Sequence, residues 1–354
     1  MKLGVKVTAT ANPRGKSTEI CRPLTDFFEH SGLTLQDDFS KAKFLISFNH
    51  DPKSYKDFRR SGGRLEDTVL IRLEPAAVFP SQFLPKVEKL YGLIFTPGSV
   101  MIDQETGRHW PYYFNVNPLT PNKLHSDLKS IVESITKEGT FDFNLWKSRS
   151  LTMSLVASNK VSPIRENNYR LRRRLARTLP SSVLTIYGGL WKGSFLERVK
   201  HRVGVLRFAI KSGVTPNLVE IYGGLLRNFE SAMGKVGNKH TVIRESKFSL
   251  VIENNNSYVS EKLIDALIGG SIPIYIGGDF SLTGIPKGAV VTGLTNAAEI
   301  LSFVENVSDS DVSDFLFCAQ YWLQSPAFYL EWFGDNVYEA IAKQIFDYFG
   351  SMVD

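Results

Sequence analysis

The stretch Asn254–Gly278, NNNSYVSEKLIDALIGGSIPIYIGG, places a polar run, a charged pair and two apolar periodicities in immediate succession. Ser260 is suited to cap a helix over Glu261–Ile268, whose Leu263, Ile264 and Leu267 recur at helical spacing. KFSLVIEN (Lys247–Asn254) before it and SIPIYIGG (Ser271–Gly278) after it read as strands. Strand, turn, helix and strand in that order make a βαβ unit, and hence a parallel sheet covered by helices.

Working outward, the same rhythm fills both halves of the chain. KLGVKVTAT, KFLISFN, TVLIRLE and GLIFT alternate with helices expected near Thr18–His30 and Gln82–Leu90. After a polar stretch containing Pro118, Pro121 and Gly139, LTMSLVAS and VLTIYGG restart the pattern, with helices expected from about Glu166 to Leu179 and near Phe195–Val199. The boundaries expected are residues 1–145 for a first α/β domain, 146–325 for a second, and 326–354 for a C-terminal helix returning to the first. TIYGGLW (Thr185–Trp191) and EIYGGLL (Glu220–Leu226) read as two similar strand-turn units, too few for a solenoid.

With 354 residues and 43% hydrophobic content, the chain can bury a core in each half. Cys21 and Cys318 are far apart and suggest neither a disulfide framework nor a zinc site. No signal-like leader or uninterrupted apolar run of spanning length occurs, so a cytoplasmic protein without a membrane span is expected. The net charge of +6 is uneven: Lys160–Lys211 holds 13 Lys and Arg against two Glu, whereas nine acids face one Lys from Leu301 onward. Nucleic acid, an anionic membrane surface and a phosphate-bearing small molecule are the partners such a patch admits.

Several motifs have plain readings. NPRGKST lacks the first glycine of a P-loop, because Thr10 stands there. Asp309-Ser310-Asp311 forms a D-x-D but opens a helical pattern, where it serves as a cap. In YRLRRRLAR, Leu171, Leu175 and Leu179 form one stripe, with Arg172, Arg173, Arg174 and Arg177 largely off it, and most of these arginines are read as a solvated face. No nucleic-acid-binding module accompanies them.

Three places are suited to a ligand, since open α/β sheets bind at the carboxyl ends of their strands. Arg165 follows one strand and Glu74 ends another, although each could equally be a surface charge. Lys262 and Glu261 stand at a helix N-terminus, which favours anions; a surface Glu-Lys pair is the alternative.

The residues VIENNNSYVSEKLIDALIGGSIPIYIGG resemble the donor-side signature of the inverting α-1,3/4-fucosyltransferases of glycosyltransferase family ten. SNKVSPIRENNYR and the pair RLEP and YGLIFT resemble two further segments of that family. Ser260 departs from its usual Thr, VIEN from its F-E-N ending, and the heptad repeats and basic tail of some bacterial relatives are absent. The resemblance implies a GT-B architecture, two Rossmann-like domains facing each other across a cleft. It also implies GDP-fucose as donor, a glycan as acceptor, and neither metal nor other cofactor. Glu74 is then the general base, Arg165 and Lys262 neutralise the diphosphate, Glu261 binds the ribose, and Tyr258 and Asn254 complete the nucleotide site. Nucleic acid is not an expected partner, and peripheral membrane association is compatible with this reading. The competing readings are a GT-B transferase using another nucleotide sugar and a non-enzymatic binder of polyanions.

Overall fold

A computed structural model describes residues 3–9, 33–36, 38–97, 109–112, 139–225, 229–257, 259–326, 328 and 334–350. The helix expected over Thr18–His30, the P-loop-like NPRGKST and the candidate Tyr258 lie outside these residues. Contacts divide the chain into two units. One holds Met1–Asn115 with Leu330–Asp354, and the other holds Val116–Tyr329.

The first unit is built on strands β1 (Leu3–Ala9), β2 (Leu33–Leu35), β3 (Phe44–Phe48), β4 (Thr68–Ile71), β5 (Leu93–Pro97) and β6 (His109–Tyr112). They form one sheet in the order β2-β1-β3-β4-β5-β6, all pairs parallel. Every residue of β3 and β4 is buried, as expected of parallel strands covered on both faces. Helix α1 (Pro52–Arg60) begins at Asp51, whose carboxylate accepts from Lys53 N at 3.1 Å. The helix expected over Gln82–Leu90 is instead a 3₁₀ turn, Pro80–Phe83, followed by the short α2 (Pro85–Glu88). Pro80 and Pro85 each open a new turn, since proline suits a first helical position but interrupts a helix already under way.

The second unit has strands β7 (Leu151–Val156), β8 (Leu184–Tyr187), β9 (Ala232–Gly234), β10 (Ser246–Ile252) and β11 (Ile272–Ile276). Their order is β11-β10-β7-β8-β9, again all parallel. The chain winds one way from β7 through β9 and then crosses to β10, so β7 and β10 flank the point where strand order reverses. Its helices are α3 (Phe143–Lys147), α4 (Tyr169–Thr178), α5 (Phe195–Lys211), α6 (Leu218–Tyr222), α7 (Lys239–Arg244), α8 (Glu261–Ile268), α9 (Ala297–Asn306) and α10 (Asp309–Leu323). The last helix, α11 (Gly334–Gly350), belongs to the first unit, where the ring of Phe349 stacks on Phe44 at 3.8 Å.

Three readings are corrected. Glu220–Leu225 of EIYGGLL holds no strand, because Glu220–Tyr222 lies in α6, where Asn217 caps the helix through Val219 N and Glu220 N. The helix near Phe195–Val199 runs on to Lys211, held at its start by reciprocal bonds between Ser194 and Glu197. The arginines of α4 do not all face solvent: Arg172 and Arg173 are buried, while Arg174 and Arg177 are exposed. The D-x-D does open a helix, with Ser308 Oγ accepting from Asp311 N at 3.1 Å.

His50, at the carboxyl end of β3, is buried, with its Nδ1 2.9 Å from the Tyr91 hydroxyl. Burial, only partly opposed by the Asp51 carboxylate, pulls the imidazole down to about 4. The folded state therefore resists a proton that the unfolded chain accepts near pH 6.5. Stability is expected to fall as pH drops from about 6.5 towards 4, by roughly 3 kcal/mol from this residue. Urea unfolding at stepped pH checks this, and His50→Gln is expected to flatten that limb.

Candidate donor site and base

The carboxyl ends of β7 and β10 carry a buried polar network. Glu253, the first residue after β10, is completely buried. Its Oε1 accepts from Ser260 N and Ser260 Oγ, both at 2.7 Å, and its Oε2 from Lys262 Nζ at 2.7 Å. Lys262 Nζ also donates to Ser260 Oγ at 2.7 Å. Burial disfavours the ammonium, but the carboxylates of Glu253 and Glu261 and the bond to Glu253 outweigh it, so Lys262 is held above its ordinary value. One carboxylate thus fixes both the N-cap and the second residue of α8.

The glycines around α8 follow from this packing. Gly270 is left-handed (φ 63°), and Gly270 N and Ser271 N donate to Leu267 O and Ala266 O, which closes the helix. A Cβ on Gly277 would run into the Tyr275 hydroxyl and lie 2.6 Å from Glu253 Cγ, so a side chain there would force one or both to shift.

Arg172 crosses the reversal point from α4. Its Nη2 donates to Ile252 O at 2.6 Å and Nη1 to Ser158 O at 3.3 Å, which ties the end of β10 to the loop after β7. Burial lowers its pKa, with Tyr169 and Glu253 opposing that effect. Asn254 O accepts from Asn168 N at 2.9 Å, and its Oδ1 lies 3.4 Å from Arg172 Nη2. Asn254 is therefore a member of this framework, partly accessible at its edge.

Arg165 lies in the loop after β7 and is exposed, with no ion pair to a described residue. Lys262, by contrast, is 23% exposed and already paired. Glu261 is partly exposed in the first turn of α8 and, with Lys262, lines a cavity of about 120 Å³ bounded by β7, β10 and α7. Deeper in that cavity, Asp265 forms an ion pair with Lys239. Burial, against the pull of Lys239, lifts Asp265 to about 7. Arg165, Asn254, Glu261 and Lys262 thus come from the carboxyl edges of adjacent strands in one unit.

Glu74, in the other unit, ends the extension of β4 and is partly buried. Its carbonyl accepts from Gln82 Nε2 at 2.9 Å. Buried Arg72 clamps this loop: it donates to Thr96 Oγ1 at 3.0 Å, Gln82 O at 2.7 Å and Glu88 Oε1 at 2.7 Å, and its guanidinium lies over Phe83. Asn49, in the left-handed region (φ 58°), accepts from Leu73 N at 2.9 Å.

Sequence reasoning missed Glu253 and Arg172. Tyr169, Arg172, Arg173 and Ala176 are spaced i, i+3, i+4, i+7 and all are buried, a pattern that could have placed both arginines on the packed face. Glu253 carried no such signal, because a strand-end acid points into protein or solvent depending on what the next helix brings. Among the described residues, no group of three His, Cys, Asp or Glu is placed to hold a metal ion, and no helix is long and apolar enough to cross a membrane.

No protein-family model matches the chain. An α-(1,4)-fucosyltransferase of Arabidopsis thaliana is 36% identical over 78 residues, 21% of this chain and 20% of that protein. The match therefore spans about a fifth of that relative's length. The crystal structure of an α1,3-fucosyltransferase with GDP-fucose shares the fold with a TM-score of 0.51 at 15% identity, over 100% of this chain and 90% of that one. Anabaena HepE in complex with UDP-glucose does so at 0.54 and 10% identity, over 98% and 99%. The architecture is thus that of the GT-B glycosyltransferases. The resemblance to fucosyltransferases is met by a partial match in sequence.

Replacing Lys262 by Met is expected to cost the second unit about 3 kcal/mol, because Glu253 is left buried without its counter-ion. The double variant Glu253→Gln, Lys262→Met should recover part of that loss, which denaturant titration of all four proteins measures.

Proposed function

We propose that this protein is an inverting fucosyltransferase of the α-1,3/4 type, moving fucose from GDP-fucose to a hydroxyl of a glycan. The observation that carries the proposal is the grouping, at the reversal point between β7 and β10, of an exposed Arg165, a helix N-terminus and the Lys262–Glu253 pair. A nucleoside diphosphate needs such fixed positive charge. The 36% identity to an α-(1,4)-fucosyltransferase over 78 residues and the shared fold with an α1,3-fucosyltransferase bound to GDP-fucose support this donor.

In this reading the acceptor oxygen bonds to the anomeric carbon on the side opposite GDP, as the bond from that carbon to the β-phosphate oxygen breaks. The configuration inverts, and negative charge passes to the phosphate. Arg165 is the cation that meets it without giving up another partner. Lys262 shares its charge between Glu253 and the phosphate. Glu261 accepts from the ribose hydroxyls and Asn254 completes the nucleotide contacts, while Tyr258 is carried by the resemblance alone. Glu74 takes the proton of the attacking hydroxyl, an effect of about 10²- to 10⁴-fold. The loop that presents it is already fixed by Arg72 and Asn49, which lowers the cost of ordering it during the reaction. No metal is required in this scheme, since fixed cations perform the neutralisation.

Thermal-shift titration with GDP, UDP, ADP and CMP should show stabilisation by GDP alone, and a stronger response to UDP would replace the donor assignment. Glu74→Ala is expected to lower transfer from GDP-fucose by at least about 10²-fold with GDP affinity unchanged. Arg165→Ala should weaken GDP by about 10-fold or more, as loss of a charge-assisted hydrogen bond does. Excess EDTA should leave the transfer rate unaltered.

A further inference from the structure

Helix α5 has two faces that do different things. Arg198, Arg202 and Ala209 are buried against the unit. On another side, Leu196, Val199, Val203, Leu206 and Ile210 follow one another at spacings of three and four, so they form a single stripe along the helix. None of the five is buried, and Leu196 and Ile210 are 64% and 63% exposed. Beside that stripe, Lys200, Arg207 and Lys211 recur at seven and four residues and are all exposed. The one acid of the helix, Glu197, is occupied at its N-terminus, where it accepts from Ser194 N at 2.9 Å. The adjoining α6 adds exposed Leu218 and Val219 to the apolar surface.

From this geometry we infer that α5 and α6 form a docking face for an anionic membrane surface, on which the helix lies in the plane of the headgroups. An apolar stripe bordered by cations is what an interfacial helix requires: side chains enter the acyl boundary while ammonium and guanidinium groups meet lipid phosphates. The stripe runs about 21 Å, from Leu196 to Ile210. A second copy of this chain is the less suitable occupant, because an antiparallel pairing of two such stripes sets one row of cations against another. The inference does not depend on the transferase reading, and its test does not use catalysis.

Co-sedimentation of the full chain with vesicles is the decisive measurement. Binding is expected to phosphatidylcholine vesicles containing phosphatidylglycerol, with little binding to phosphatidylcholine alone and release by 0.5 M salt, as ~1 M or lower salt screens such contacts. K200E/R207E/K211E should lower partitioning by about 100-fold or more. L196E/I210E should also abolish it, with far-UV circular dichroism unchanged for both variants. The proposal is overturned if the wild-type chain ignores anionic vesicles, binds neutral ones equally well, or loses nothing on either set of substitutions. It is also overturned if light scattering shows a dimer that L196E/I210E dissociates, which would assign the face to a second copy.

Discussion

The buried Glu253 carboxylate is the constraint on which the carboxyl edge of the second unit's sheet depends. An ionised group with no exposure must be hydrogen-bonded and paired, or its desolvation would cost several kcal/mol. Glu253 meets that requirement with a backbone amide, a hydroxyl and an ammonium, all contributed by Ser260 and Lys262. The end of β10 and the beginning of α8 are therefore fixed relative to each other. Gly277 serves the same arrangement, since a side chain there would enter the space of Glu253. Placing Lys262 in this pair also separates the two cations of the candidate donor site: one is a member of the framework, and Arg165 is exposed.

The two units share a device. In each, a buried arginine reaches backbone carbonyls at the end of a parallel sheet, Arg72 to Gln82 O and Arg172 to Ile252 O and Ser158 O. A guanidinium presents several donors in a fixed plane and keeps its charge even where burial lowers its pKa, as it does for Arg172. Loops that leave a sheet expose carbonyls that no ladder can satisfy, and arginine can serve several of them at once. The result in both units is a rigid backbone beside the residues assigned to chemistry.

The basic segment Lys160–Lys211 accordingly has no single purpose. Arg172 and Arg173 are internal, and burial with the nearby Arg202 brings Arg173 down to about 10. Lys200, Arg207 and Lys211 are external and border an apolar stripe. Arg165 stands at the edge of a sheet. A net charge summed over the segment conceals this division.

What the sequence by itself determined was the alternation of parallel strands and helices, the Ser260 cap of α8 and the D-x-D as a helix start, because each depends on neighbours within a few residues. Chain periodicity also marked Arg165 and Glu74 as strand-end residues. Only the tertiary structure decided that Glu253 faces inward to take Lys262, that Arg172 and Arg173 are buried, and that Glu220–Tyr222 joins a helix. Those outcomes turn on partners far along the chain, such as Arg172 with Ile252 and Gly277 with Glu253, and on packing that gives one local pattern different environments. Spacing along a chain fixes which side chains share a face; it does not fix what that face will meet.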